Sequence, residues 1–209
     1  MDNFHVYKDM EARTKGEIYI GVVGPVRTGK STFIKRFMEL LVLPAMEDET
    51  SRTMSRDELP QSAAGKTIMT TEPKFIPKEA AAIQVGDGIS VKIRLIDCVG
   101  FMAEGAAGHI EDDGERMVKT PWFENEIPFT KAAEIGTRKV IADHSTIGLV
   151  ITSDGSFGDI RRAGYIDGER KAIEELKELG KPFLVLLNSS RPYSEETESL
   201  AESMEKEYG

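Results

Sequence analysis

The sequence holds 209 residues, 40% of them hydrophobic, with 27 Lys and Arg against 36 Asp and Glu for a net charge of −9. That size and apolar content suit one large domain with a buried core, and the acidic balance excludes a broad nucleic-acid-binding face, because neutralising phosphates needs clustered cations. No apolar run approaches the roughly 18 residues of a membrane-spanning helix, and Met1-Asp2-Asn3-Phe4-His5 lacks a basic start followed by an apolar core, so a cytoplasmic protein without a transmembrane segment is expected.

Residues 1–16 are polar and mixed in charge. They read as an N-terminal arm or short helix, with Phe4, Val6 and Tyr7 available to pack on a domain spanning 17–209. A strand is expected at about 17–23. It runs into Gly24-Pro25-Val26-Arg27-Thr28-Gly29-Lys30-Ser31, which matches the phosphate-binding P-loop, G-x-x-x-x-G-K-[ST], in its strand-to-helix setting. Gly24 and Gly29 let the backbone wrap a phosphate chain, so that successive N–H groups and the positive helix N-terminus face the anion. Lys30 places a point charge on the β- and γ-phosphates, and the Ser31 hydroxyl is positioned to ligate Mg²⁺. Residues 24–32, from Gly24 through Thr32, form the expected nucleotide cradle.

A helix from Lys30 to Val42 should stop near Pro44. From Pro44 to Lys66 the chain is charged without sustained periodicity, which predicts an ordered loop able to move, the place for a nucleotide-sensing segment. Thr67 to Pro73 follows. In P-loop switch proteins a threonine between the first helix and the next strand ligates Mg²⁺ while its backbone meets the γ-phosphate. Thr70 and Thr71 are the candidates, the alternative being simple β-propensity before Pro73.

Residues 81–85 and 89–97 read as a hairpin around Gly86-Asp87-Gly88. Asp97-Cys98-Val99-Gly100 then puts a metal-binding carboxylate at a strand end and a glycine N–H where the γ-phosphate would lie. Cys98, the single cysteine, sits in an apolar run with no positioned histidine, so a small buried thiol is expected there rather than a nucleophile. Residues 101–130 look like an insertion, and long segments of this kind are usually functional or disordered. Its Trp122 and Phe123 offer a partner surface, but burial against the domain is the expectation for large aromatics. His109 and His144 have no partner at metal-ligand spacing.

Lys131 to Asp143 has helical periodicity, Thr146 to Thr152 reads as a buried strand, and Gly168 to Leu179 as a helix closing at Gly180 before a strand at 183–187. Glu195 to Lys206 reads as a final acidic helix. Strands alternating with helices predict an α/β fold, a doubly wound and mostly parallel sheet of the P-loop NTPase type, with the nucleotide at the strand C-terminal ends.

GTP-selective members of this class read guanine with Asn-Lys-x-Asp after a late strand, the carboxylate accepting from the base. Here the stretch is Asn188-Ser189-Ser190-Arg191. Arginine only donates, so Arg191 opposes guanine's donors and the base preference turns to ATP or to poor selectivity, while Asn188 is expected to tie the strand end to the P-loop. Phe101 occupies the place where many switches carry a water-orienting glutamine. Hydrolysis is therefore expected to be slow or assisted by another group, and Arg27 is the candidate for charge stabilisation, against the alternative of a solvent-facing residue at a permissive loop position.

Gly24 to Ser31, Asp57 to Lys74, Asp97 to Gly100 and Thr130 to Thr146 together resemble the N-terminal domain of the stage IV sporulation protein A family. The resemblance covers nearly the whole chain, and it implies a P-loop ATPase domain at 17–209, related to translation-factor GTPases, without the C-terminal domains of the longer family. It implies Mg²⁺-dependent ATP hydrolysis that drives self-association into cytoskeleton-like polymers, the base layer of the spore coat. The implied place is the mother-cell cytoplasm at the forespore outer surface, with other coat morphogenetic proteins and a small membrane-associated anchor protein as partners. A regulatory GTPase switch and a nucleotide-binding scaffold without turnover are the alternatives.

Overall fold

The centre of the molecule is a strand that is apolar on both faces. In β1 (Glu17–Val23), Ile18 packs toward one side and Val23 toward the other, with Val22 fully buried between α/β layers, the pattern of a strand covered twice. The computed structural model describes residues 16–60, 72–84, 90–111 and 114–209. The N-terminal arm, Thr70, Thr71 and the Gly86-Asp87-Gly88 turn lie outside the described residues.

Five strands form the main sheet in the order β2-β3-β1-β8-β9, with β2 at Lys74–Gln84, β3 at Ser90–Asp97, β8 at Ile147–Ser153 and β9 at Phe183–Asn188. β2 runs antiparallel to β3, and every other pairing is parallel. On one face lies α1 (Lys30–Phe37), which continues through a wider π turn at Met38–Val42 and buries Ile34, Met38 and Val42 against Ile18, Val22 and Leu95. The other face carries α3 (Phe129–Lys139), α4 (Arg162–Glu178) and α5 (Glu195–Tyr208). Their Ile173, Leu176 and Met204 pack on Val23, Ile96 and Val150. Helices on both faces of a mostly parallel sheet make this the doubly wound α/β fold expected of a P-loop NTPase.

Several boundaries differ from expectation for local reasons. The first helical run continues past Val42 through Leu43–Ala45 and stops there, next to Pro44 as expected, with Met46 extended. Part of the expected loop is α2 (Glu49–Asp57), started by the Asp48 carboxylate accepting from the Ser51 N–H at 2.6 Å. Helix α4 begins at Arg162 rather than Gly168, because its opening turns bury only Tyr165 before Gly168 and so carry little apolar periodicity to read. Residues 101–130 hold two short hairpins, β4 (Ile110–Glu111) with β5 (Gly114–Glu115), and β6 (Met117–Thr120) with β7 (Phe123–Pro128). Phe123 is 43% exposed rather than buried. Trp122 is half-buried with the Lys139 ammonium over its ring.

Candidate phosphate and metal site

The loop after β1 is braced from three sides. Within it, the buried Thr28 hydroxyl donates to the Pro25 carbonyl at 3.0 Å. From the next strand end, the Phe101 N–H donates to the Gly24 carbonyl at 3.1 Å and the Val26 N–H donates to the Phe101 carbonyl at 2.8 Å. From the end of β9, Asn188 Nδ2 donates to the Thr28 carbonyl at 3.0 Å. Gly29 has φ +93°, and a Cβ there would lie 2.7 Å from Asn188 Nδ2, so both the turn and the brace require glycine.

Helix α1 then starts at Lys30 with no side-chain cap and no acidic residue in its first turn. Its first N–H groups and its positive end are therefore left to an external anion. Ser31 is half-buried and Thr32 exposed at this end. Lys30 is 5% exposed, and its ammonium donates to the Pro25 carbonyl at 2.5 Å.

At the end of β3 the Ser31 hydroxyl donates to Asp97 Oδ2 at 2.7 Å, while Asp97 Oδ1 is buried with no hydrogen-bond partner among the described residues. Burial pushes the Lys30 ammonium below its ordinary pKa and lifts the Asp97 carboxyl above its own. An anion beside Lys30 and a cation beside Asp97 would reverse both effects. A hydroxyl, one carboxylate with an orphaned oxygen, and phosphate oxygens suit Mg²⁺, which keeps waters and takes few protein ligands. Among the described residues no group of three His, Cys, Asp or Glu is placed to hold a metal, and this kind of site needs none.

Arg27 is held at φ +61°, uncommon for a residue with a Cβ. Its Nη2 donates to the Ala107 carbonyl at 3.2 Å, tying the P-loop to the 101–130 segment. Phe101 is 2% exposed and belongs to the core, offering no side-chain hydrogen bond to a water. The Gly100 N–H donates to the buried Thr137 hydroxyl at 3.2 Å. Thr70 and Thr71 lie outside the described residues, so their relation to this site is not part of the geometry. Cys98 is buried, with its thiol pushed up to about 11 by burial, which suits a packing role.

Next to the cradle, the segment after β9 is stitched to the loop after β8. The Ser190 N–H donates to Ser156 Oγ at 2.8 Å, the Asp154 N–H donates to the Asn188 carbonyl at 3.2 Å, and Arg191 is exposed. A cavity of about 570 Å³ lies elsewhere, between α2 and β2, lined by Met46, Met54, Pro77 and Ile83 and by no P-loop residue. Sequence reasoning missed Thr137 and a buried set formed by Arg162, Glu169 and Tyr208. For Thr137 the sequence carries no signal, since a threonine inside a helical run looks ordinary; for Glu169 the signal is a charge at an inward position of α4.

The family model described as "Stage IV sporulation protein A, ATPase domain" matches residues 1–209. Among curated proteins, stage IV sporulation protein A of Bacillus subtilis (strain 168) is 59% identical over 208 residues, covering 100% of this chain and 42% of that protein. The protein of the same description from Bacillus anthracis is 57% identical over 208 residues, again 100% and 42% of the two chains. That of Clostridioides difficile (strain 630) is 54% identical over 206 residues, 99% and 42%. The chain thus spans less than half the length of these relatives.

Proposed function

Because the chain belongs to the stage IV sporulation protein A ATPase-domain family, we propose that it binds ATP with Mg²⁺ on residues 24–32 and hydrolyses it. The observation that carries this reading is the Ser31–Asp97 pair at 2.7 Å, with an orphaned carboxylate oxygen beside a buried Lys30. Ser31 and Asp97 would hold the metal directly or through waters, with Thr70 and Thr71 as further candidates. When bound, Mg²⁺ supplies positive charge that offsets charge developing on the phosphate oxygens.

The chain's own residues do the rest. The free N–H groups of α1 and the loop orient the phosphates, and the Lys30 ammonium stabilises charge on the β- and γ-oxygens. Arg27 is the candidate for added charge stabilisation, which requires its guanidinium to leave the Ala107 carbonyl. With Phe101 unable to orient water, turnover is slow. In the longer protein, hydrolysis drives a conformational change for self-assembly of the spore coat base layer at the forespore surface. Among the described residues no helix is long and apolar enough to cross a membrane.

The test is turnover with ATP and GTP in competition, with and without Mg²⁺, for the wild type, Lys30→Ala and Asp97→Ala. ATP should win in the wild type, Lys30→Ala should abolish turnover, and Asp97→Ala should lose most of the response to Mg²⁺. Preference for GTP, or wild-type turnover by Lys30→Ala, overturns the reading.

A further inference from the structure

Gly100 is packed against the phosphate cradle with its amide turned elsewhere. A Cβ at this position would lie 2.3 Å from the Gly24 carbonyl oxygen and 2.5 Å from Lys30 Nζ, and the residue holds φ +100°. Its Cα therefore borders the cradle directly. Its N–H donates to Thr137 Oγ1, on α3, at 3.2 Å. Thr137 is fully buried, and its hydroxyl spends its own proton on the Ala133 carbonyl at 2.8 Å. One oxygen thus donates along the helix and accepts from Gly100, so the amide is satisfied without any ligand group.

We infer that Thr137 is a positioning residue that sets the discrimination between nucleoside triphosphate and diphosphate, by competing with a γ-phosphate for the Gly100 N–H. The inference rests on the reading of residues 24–32 as the nucleotide cradle. The neighbouring segment cannot shift freely, because Phe101 is bonded to Gly24 and Val26 on the P-loop. The Gly100 peptide is therefore the unit that turns, and its N–H exchanges one acceptor for another. A γ-phosphate oxygen that takes this N–H must displace the Thr137 hydroxyl. A diphosphate makes no such demand.

The sign of the effect follows. Without the Thr137 hydroxyl, the Gly100 N–H keeps only the Cys98 sulfur, a weak acceptor, until a γ-phosphate arrives. Thr137→Val, which keeps the shape and removes the hydroxyl, should tighten binding of a triphosphate and leave a diphosphate unaffected. A merely structural role, holding the Ala133 turn of α3, would change both affinities together.

The experiment measures affinities for a non-hydrolysable ATP analogue and for ADP, with Mg²⁺, for the full chain as wild type, Thr137→Val and Thr137→Ser. The ratio of analogue to ADP affinity should rise about tenfold in Thr137→Val and stay within about twofold of wild type in Thr137→Ser, where the hydroxyl remains. An unchanged or reduced ratio in Thr137→Val overturns the inference. Melting temperatures accompany both variants, and if Thr137→Val does not fold, Thr137→Ala gives the same comparison. A wild type that binds neither nucleotide, or binds both without dependence on Lys30, overturns the cradle reading itself; nucleotide binding with a flat ratio overturns the role of Thr137 alone.

Discussion

Asn188 donates to the Thr28 carbonyl across two strands of the sheet, so a residue that in guanine readers belongs to a base-recognition motif here fixes the shape of the phosphate loop. A neutral hydrogen bond of this kind is worth about 1 kcal/mol net. Asn188→Ala should therefore weaken ATP affinity by roughly 2- to 10-fold, measured by calorimetric titration, with little loss of thermal stability because β9 keeps its ladder with β8. Three residues on, Arg191 is exposed and only donates. Replacing Ser189 by Lys and Arg191 by Asp restores an acceptor for guanine's N1–H and exocyclic amine, and the double variant should raise GTP turnover relative to ATP in the same competition assay. GTP use that does not rise would mean that the base is read by other groups.

Helix α4 carries a buried ion pair that locks three elements together. Arg162 forks onto Glu169 at 2.5 and 2.8 Å and also donates to Thr152 Oγ1 on β8, while the Tyr208 hydroxyl at the end of α5 donates to Glu169 Oε1 at 2.8 Å. Burial alone would raise the Glu169 carboxyl, but the Arg162 fork and the Thr152 and Tyr208 hydroxyls hold it below its ordinary value. A carboxylate with a depressed folded pKa adds stability above its unfolded value, and that contribution disappears as pH falls through the folded one. Arg162→Ala leaves an unpaired buried carboxylate and should cost about 3–5 kcal/mol at neutral pH, lowering the melting temperature by roughly 10 °C. The deficit relative to wild type should shrink in acid, as Glu169 becomes neutral in both proteins. Tyr208→Phe should cost less, about 1.5–3 kcal/mol for a bond to a charged acceptor. The same helix shows where sequence stops being readable. Strands β1, β3, β8 and β9 and the P-loop follow from local apolar runs and a fixed motif, because period and spacing are properties of the chain itself. Thr137 gains its role from a partner 37 residues away, and Glu169 combines Arg162, seven residues back on the same helix, with Tyr208, 39 residues on, and no local pattern encodes the longer distances. Helix α2 was legible in principle from Asp48 as a cap, but its weak apolar face gave the periodicity nothing to detect.

Across the whole molecule, the two faces of the sheet are covered unequally. Phe183, Val185 and Leu187 of β9 pack in the core with α4 and α5, while Leu184 and Leu186 project to the other side at 67% and 37% exposure. Their neighbours in register on β8, Leu149 and Ile151, are 8% and 2% exposed in the core that α1 completes. Helix α1 therefore covers β8 and leaves β9, which among the described residues is an edge strand paired on one side only. An apolar edge of this kind favours association between molecules, and at pH 7 the net charge of −9 opposes it. The sequence pI of about 5.0 marks where that opposition vanishes. Light scattering of the 209-residue chain should therefore rise steeply as pH falls from 7 toward 5, and salt at pH 7 should raise it by screening the repulsion. Leu184→Thr with Leu186→Thr keeps the charge and the strand propensity while removing the apolar surface, so the double variant should scatter less across the same range and bind nucleotide as the wild type does. Equal scattering by the two proteins would place the contact elsewhere, with Leu40 and Leu41 on the π turn after α1, exposed at 67% and 57%, as the next pair to substitute.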